Sequence, residues 1–96
     1  MRISYDPDKR EWTLRERGLD FEDAAAVVAD PRSTTLLDDR RDYGEERYQT
    51  FGYMGDRLVM VVWTLRGGDE QRIISMRKAN EREQAQARFR QQSGEG

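Results

Sequence analysis

The densest apolar run in the chain, residues 58–65, sits between two glycine turns, and the elements on either side read less plainly. Residues 2–5 alternate polar and apolar with Ile3 and Tyr5 on one side, which predicts a short strand. Asp6-Pro7 starts a helix, with Asp as N-cap and Pro at the first helical position. That helix runs to Arg17 and is polar, with Trp12 and Leu14 as the side chains to bury. Gly18, after Arg15 and Arg17, closes it. Asp20 opens a second helix whose first turn holds Glu22 and Asp23, where acids suit the dipole. Phe21, Ala25 and Val28 recur at helical spacing with Ala24 and Val27 beside them, and the helix ends near Asp30-Pro31.

Strand signals follow. Residues 33–37 fit a short strand, and 37–47 read as a mobile, charged surface loop. Residues 47–53 are rich in aromatics and threonine, and Met54-Gly55-Asp56 reads as a hairpin turn. Residues 57–65 are apolar without alternation, the pattern of a central strand buried on both faces. Residues 66–69 form a second turn and 71–77 a further strand. Asn80 with Glu83 three residues on is a capping box opening a last helix of about ten residues, with Ala85 and Phe89 as inward candidates. The expected fold is a small α+β domain over residues 1–92, with residues 93–96 as a flexible tail. It has two N-terminal helices, a C-terminal helix and an antiparallel sheet of about four strands. Helices packed on one sheet face leave the other partly open, and that open face with its arginines is the expected working surface.

Composition narrows the chemistry. The 96 residues include no cysteine and no histidine, with 38% charged and 9% aromatic side chains. Interspersed charges and the aromatics argue for a folded chain. Without cysteine there are no disulfides, thiol nucleophiles or thiolate metal ligands. Without histidine there is no imidazole base and no Ser-His-Asp triad. Catalysis must therefore draw on Asp, Glu, Lys, Arg, Tyr, Ser or Thr. The longest apolar run falls far short of the roughly 20 residues a membrane helix needs, and the N-terminus has no apolar signal core, so the expected location is the cytoplasm. Charge is uneven: residues 1–46 carry eight basic and thirteen acidic side chains, residues 47–96 nine and six. Nets of −5 and +3 direct a polyanion to the second half, and the overall −2 opposes a plain nucleic-acid-binding domain.

The main candidate cluster is Arg72-Ile73-Ile74-Ser75-Met76-Arg77-Lys78-Ala79. Arg77 and Lys78 stand where a strand gives way to a helix, and Arg47 and Arg66 at other strand ends could converge with them. Guanidiniums bind phosphate bidentately and keep their charge, so they suit a phosphodiester and its pentavalent transition state. The same arginines also fit as solvated partners of the many acids. Trp63 fits a core position as well as a base-stacking one. Tyr43, Tyr48 and Tyr53 fit ordinary strand and loop aromatics as well as a general acid. Glu83 is both a candidate general base and residue N3 of a capping box. Asp38, Asp39 and Asp42 match no metal-ligand pattern and read as solvated loop. No phosphate-cradling glycine loop, nucleophile elbow or dinucleotide fingerprint is present.

Four stretches together resemble one family. They are Asp6-Pro7-Asp8-Lys9 leading to Leu14-Arg15-Glu16-Arg17-Gly18-Leu19-Asp20-Phe21-Glu22-Asp23-Ala24; Asp30-Pro31; Gly44-Glu45-Glu46-Arg47 leading to Thr50-Phe51-Gly52; and the 72–79 stretch with Glu83. In order and spacing the chain resembles the BrnT toxins of bacterial type II toxin–antitoxin systems, over roughly residues 3–88. The resemblance implies a RelE-like, metal-independent endoribonuclease without a cofactor. It implies neutralisation by a BrnA-type antitoxin, a ribbon-helix-helix DNA-binding protein that carries the complex to operator DNA. It also implies catalytic roles for Arg47, Arg72, Arg77, Lys78 and Glu83, and RNA binding by Ser75. Arg66 joins the RNA-binding set from its strand end. Arg17 stands where the family commonly has a histidine, and Ala87 where it often has a tyrosine. Arg17 is therefore either a further phosphate clamp or the mark of a silent copy that binds its antitoxin without cutting RNA. RNA is expected to meet only residues 47–96.

Overall fold

The computed structural model describes residues 2–94. Five strands form one sheet: β1 (Arg2–Ser4), β2 (Thr34–Asp38), β3 (Arg47–Met54), β4 (Arg57–Arg66) and β5 (Glu70–Lys78). Three helices accompany them: α1 (Pro7–Arg17), α2 (Ala24–Ala29) and α3 (Glu81–Gly94). The strand order is β1-β5-β4-β3-β2, so the apolar strand β4 is central. β2 to β5 form an antiparallel meander, as expected. The sheet is nevertheless mixed, not antiparallel with about four strands, because β1 pairs parallel to β5 with Ile3 opposite Gln71. The chain leaves β1 into α1, which packs back along β5. That return fixes the direction of β1, and no side-chain alternation encodes it.

Local chemistry sets the element ends. The Asp6 side chain accepts from the Asp8 N–H, and Gly18 closes α1 at φ 68°, the left-handed region where a Cβ is unfavourable. Asp20 caps a 3₁₀ turn (Phe21–Asp23) that leads into α2, so the second helix is shorter than its sequence pattern suggests. The core lies between these helices and the sheet. Leu19, Phe21, Ala24 and Val27 pack on Val59, Val61, Ile73 and Met76. Gly52 on β3 lets α2 approach closely: a Cβ there would lie 2.6 Å from the Val27 carbonyl oxygen.

Several expected inward residues face outward. Trp12 and Leu14 are each 45% exposed, and Thr13 is the buried residue of α1. α1 lies over the margin of the sheet rather than its centre, so polar contacts hold it. Arg10 donates to both carboxylate oxygens of Asp20, and Arg17 Nη1 donates to the Met76 carbonyl. Phe89 is 71% exposed and Ala85 is exposed, whereas Glu83 and Ala87 are half-buried toward the sheet. The capping box and the Arg77–Glu83 pair fix the rotation of α3, and Ala87, one turn after Glu83, then faces inward. α3 also takes in Ser93 and Gly94 of the expected tail, and residues 95–96 lie outside the described residues. Among the described residues no helix is long and apolar enough to cross a membrane.

Candidate functional site

Cross-strand register separates the two faces of the sheet. The residues paired with Val59 and Val61 share the helix-covered side. The residues paired with Met60, Val62 and Thr64 share the other, here called the second face. Arg77 and Arg72 on β5 belong to it, with Phe51, Gln49 and Arg47 on β3. α3 crosses one end of this face, above a cavity of about 160 Å³ lined by Leu36, Gln49, Phe51 and Ala87.

At that end Arg77 Nη1 and Nη2 donate to Glu83 Oε1 and Oε2 at 2.8 and 2.9 Å. Glu83 Oε1 also accepts from the Asn80 N–H, while Asn80 Oδ1 accepts from the Glu83 N–H. The guanidinium beside it, opposed by partial burial, holds the Glu83 carboxyl below the usual carboxylate range. Glu83 is thus a fixed anion with most of its lone pairs in use. Its clearest effect is to hold the Arg77 fork in one orientation.

The β2 edge of the face is built from residues read in the sequence as mobile, solvated loop. β2 runs one residue further than expected and ends at Asp38, whose side chain is fully buried. Arg40 Nε and Nη2 donate to its two oxygens, each at 2.8 Å. The Tyr43 hydroxyl donates at 3.4 Å, and Gln49 adds a side-chain hydrogen bond. Arg40 in particular pulls the Asp38 carboxyl down to about 2. The Arg40 charge is in turn felt at Arg77, so two paired guanidiniums share this part of the face. A sequence signal was available. Asp38-x-Arg40 repeats Asp30-x-Arg32, where the carboxylate likewise accepts from the backbone and the guanidinium two residues on.

Near the other end of the strands Arg47 lies over the Tyr43 ring, 4.2 Å from its centroid. Arg47 Nε donates to Glu45 at 3.1 Å, and Arg66 reaches the same carboxylate at 3.5 Å. Arg72 lies on β5, across β4 from Arg47 and paired with Thr64, and makes no ion pair among the described residues. The expected set therefore divides. Arg47, Arg66, Arg72 and Arg77 with Glu83 share the second face, joined by the unanticipated Arg40. Arg17 and Ser75 meet instead in a groove between α1 and the outer edge of β5. Lys78 is exposed near Asp56, Arg57 and Gln84, away from both. Trp63 is a packing residue: its Nε1 donates to Thr50 and its ring lies 4.8 Å from that of Tyr48.

The profile of the family described as the ribonuclease toxin BrnT of type II toxin–antitoxin systems matches residues 5–83. The chain belongs to this family. Among solved structures, the crystal structure of the Brucella abortus ribonuclease toxin BrnT is similar in fold, with a TM-score of 0.64. The two share 23% sequence identity over 84% of this chain and 99% of that one. A comparison with curated proteins returns no match. The BrnT match takes in every expected site residue, from Arg17 to Glu83, and ends before Ala87.

Proposed function

We propose that this BrnT chain is a metal-independent endoribonuclease that lays RNA across the second face of its sheet. Cutting RNA there inhibits translation, and a BrnA-like antitoxin neutralises it and brings the complex to operator DNA. The carrying observation is the group of guanidiniums that buried or half-buried carboxylates hold in place: Arg77 by Glu83, Arg40 by Asp38, Arg47 by Glu45. Each presents free N–H groups while its orientation stays fixed.

The reaction is transesterification. The RNA 2′-oxygen attacks the adjacent phosphorus, the 5′-oxygen leaves and takes up a proton, and a 2′,3′-cyclic phosphate forms. Arg77, beside Glu83, neutralises the charge that develops on the phosphoryl oxygens, and Arg72 and Arg47 hold neighbouring phosphates of the strand. Glu83 accepts the 2′-proton through the one lone pair its partners leave free. Its depressed pKa makes it a weak base, so electrostatics carries most of the rate and turnover is modest. Arg66 holds a phosphate further along the strands, and Lys78, which lies away from this face, takes no part.

One observation favours the second reading, a silent antitoxin-binding module. Arg17 donates to the Met76 carbonyl and lies against Trp12, and a guanidinium exchanges no proton at neutral pH. The test is cleavage of RNA by the purified chain in EDTA, beside growth arrest on expression without the neighbouring antitoxin gene. Cleavage and arrest, both lost in Arg77→Ala, are expected of the enzyme. Neither in the wild type establishes the silent module.

A further inference from the structure

We propose that the groove between α1 and the outer edge of β5 seats one nucleobase of the RNA strand together with its phosphate. The proposal rests on the RNA-cleaving reading above and adds a second contact area to it. The groove encloses about 380 Å³, within the range of small-ligand sites. Trp12 and Ile74 give it an apolar wall over the buried Phe21, and Lys9, Arg17 and Ser75 supply polar groups. Asp8 also lines it and accepts from the ring or amino N–H groups of a base.

Three features fit this ligand. Trp12 is 45% exposed although Trp is one of the costliest side chains to leave in water, and it takes no part in the core. Arg17 fixes the indole from one side, its guanidinium 5.0 Å from the ring, and is itself held by the Met76 carbonyl. The ring is thereby ordered before any base stacks on it. The second feature is unpaired polarity. The Lys9 ammonium makes no ion pair and the Ser75 hydroxyl no hydrogen bond among the described residues. The third is the strand itself. β1 ends at Ser4 opposite Arg72, so the rest of the β5 edge is left to α1. A bulge opposite Val62 and Trp63 makes Ile74 an extra residue and turns Ile74 and Ser75 toward the groove. Arg72 and Arg77 flank the bulge on the second face, so an RNA strand crossing the rim of β5 has phosphates at the arginines and a base at Trp12.

An extended peptide adding to this edge fits less well. The bulge breaks the regular hydrogen-bond spacing, and Arg17 already occupies the Met76 carbonyl.

The probe is a 2′-O-methyl oligoribonucleotide, which binds but has no free 2′-hydroxyl to attack. Its affinity is measured for the wild type, Trp12→Ala, Trp12→Phe, Lys9→Gln and Arg77→Ala, with tryptophan emission followed alongside. Binding is expected to quench emission in the wild type and not in Trp12→Phe, where the packed Trp63 alone remains. Trp12→Ala weakens binding about tenfold, as expected for one lost base stack. Lys9→Gln weakens it about threefold and lowers the salt dependence. Should Trp12→Ala fail to fold, Trp12→Phe and Lys9→Gln still decide. Wild-type affinity in Trp12→Ala and Lys9→Gln with weakened binding in Arg77→Ala overturns the base seat and leaves the second face standing. A Trp12→Ala protein that binds RNA normally but loses its antitoxin makes the groove a protein interface and also overturns the proposal. No RNA binding by the wild type overturns both readings.

Discussion

The two faces of the sheet are held by different physics. On the helix-covered face, Phe21, Val27, Val59, Val61, Ile73 and Met76 are all at most 1% exposed and belong to one apolar cluster. On the second face, Leu58, Met60 and Val62 form a thin apolar floor, and above it stand carboxylate–guanidinium pairs. Apolar burial is non-directional and closes a surface. Paired guanidiniums are directional and leave donors turned outward. If the first face carries stability and the second carries the RNA recognition proposed above, substitutions on the two should separate along that line.

The largest effect belongs to the covered face. Phe21→Ala removes a fully buried ring that lies edge-on to Tyr5 and should cost about 3–5 kcal/mol in urea unfolding. A smaller loss would mean that the covered face is not the main source of stability. Next is Arg77→Ala, expected to lower RNA cleavage about 100-fold while the unfolding midpoint moves little. Arg77→Lys should recover only part of the rate, because the ammonium lacks the two-pronged geometry. A large stability loss with unchanged specific activity would reverse the roles assigned to the faces.

The third prediction is a pH effect on the second face. Arg40 holds the Asp38 carboxyl at about 2, against about 3.9 in an unfolded chain. A depressed native pKa stabilises above the unfolded value and loses that contribution as pH falls through the native one. Wild-type stability should thus drop by about 1–2 kcal/mol more than that of Asp38→Asn between pH 5 and about pH 2. Parallel pH profiles would show that the Asp38 pair contributes nothing. The smallest effect is at Phe89. At 71% exposure, Phe89→Ser should change stability by less than about 0.5 kcal/mol, and a loss above about 1 kcal/mol would mean that the outer side of α3 is covered in solution.

What the sequence disclosed follows the same division. Signals that act over three or four residues were legible: the Asp6 cap, the Gly18 terminus, the Asn80–Glu83 box and the unbroken apolar run of β4 all match the fold. Features set by distant partners were not. The direction of β1 depends on where α1 lies, and the exposure of Trp12 and Phe89 depends on how far each helix sits over the sheet. Asp38 looked like loop because an acid rarely ends a strand buried, and only Arg40, Gln49 and Tyr43 together make that tolerable. The division of charge into an acidic and a basic half misled for a related reason. Arg40 and Tyr43 come from the acidic half yet stand on the same face as Arg47 and Arg77.

Backbone hydrogen exchange with and without a bound 2′-O-methyl oligoribonucleotide tests most directly whether RNA lies on the second face. The account predicts slowed exchange in the 39–46 loop, at the start of β3 and at the β5–α3 junction, with α2 unchanged. Slowed exchange over α2, with the loop and the junction unaffected, would contradict it.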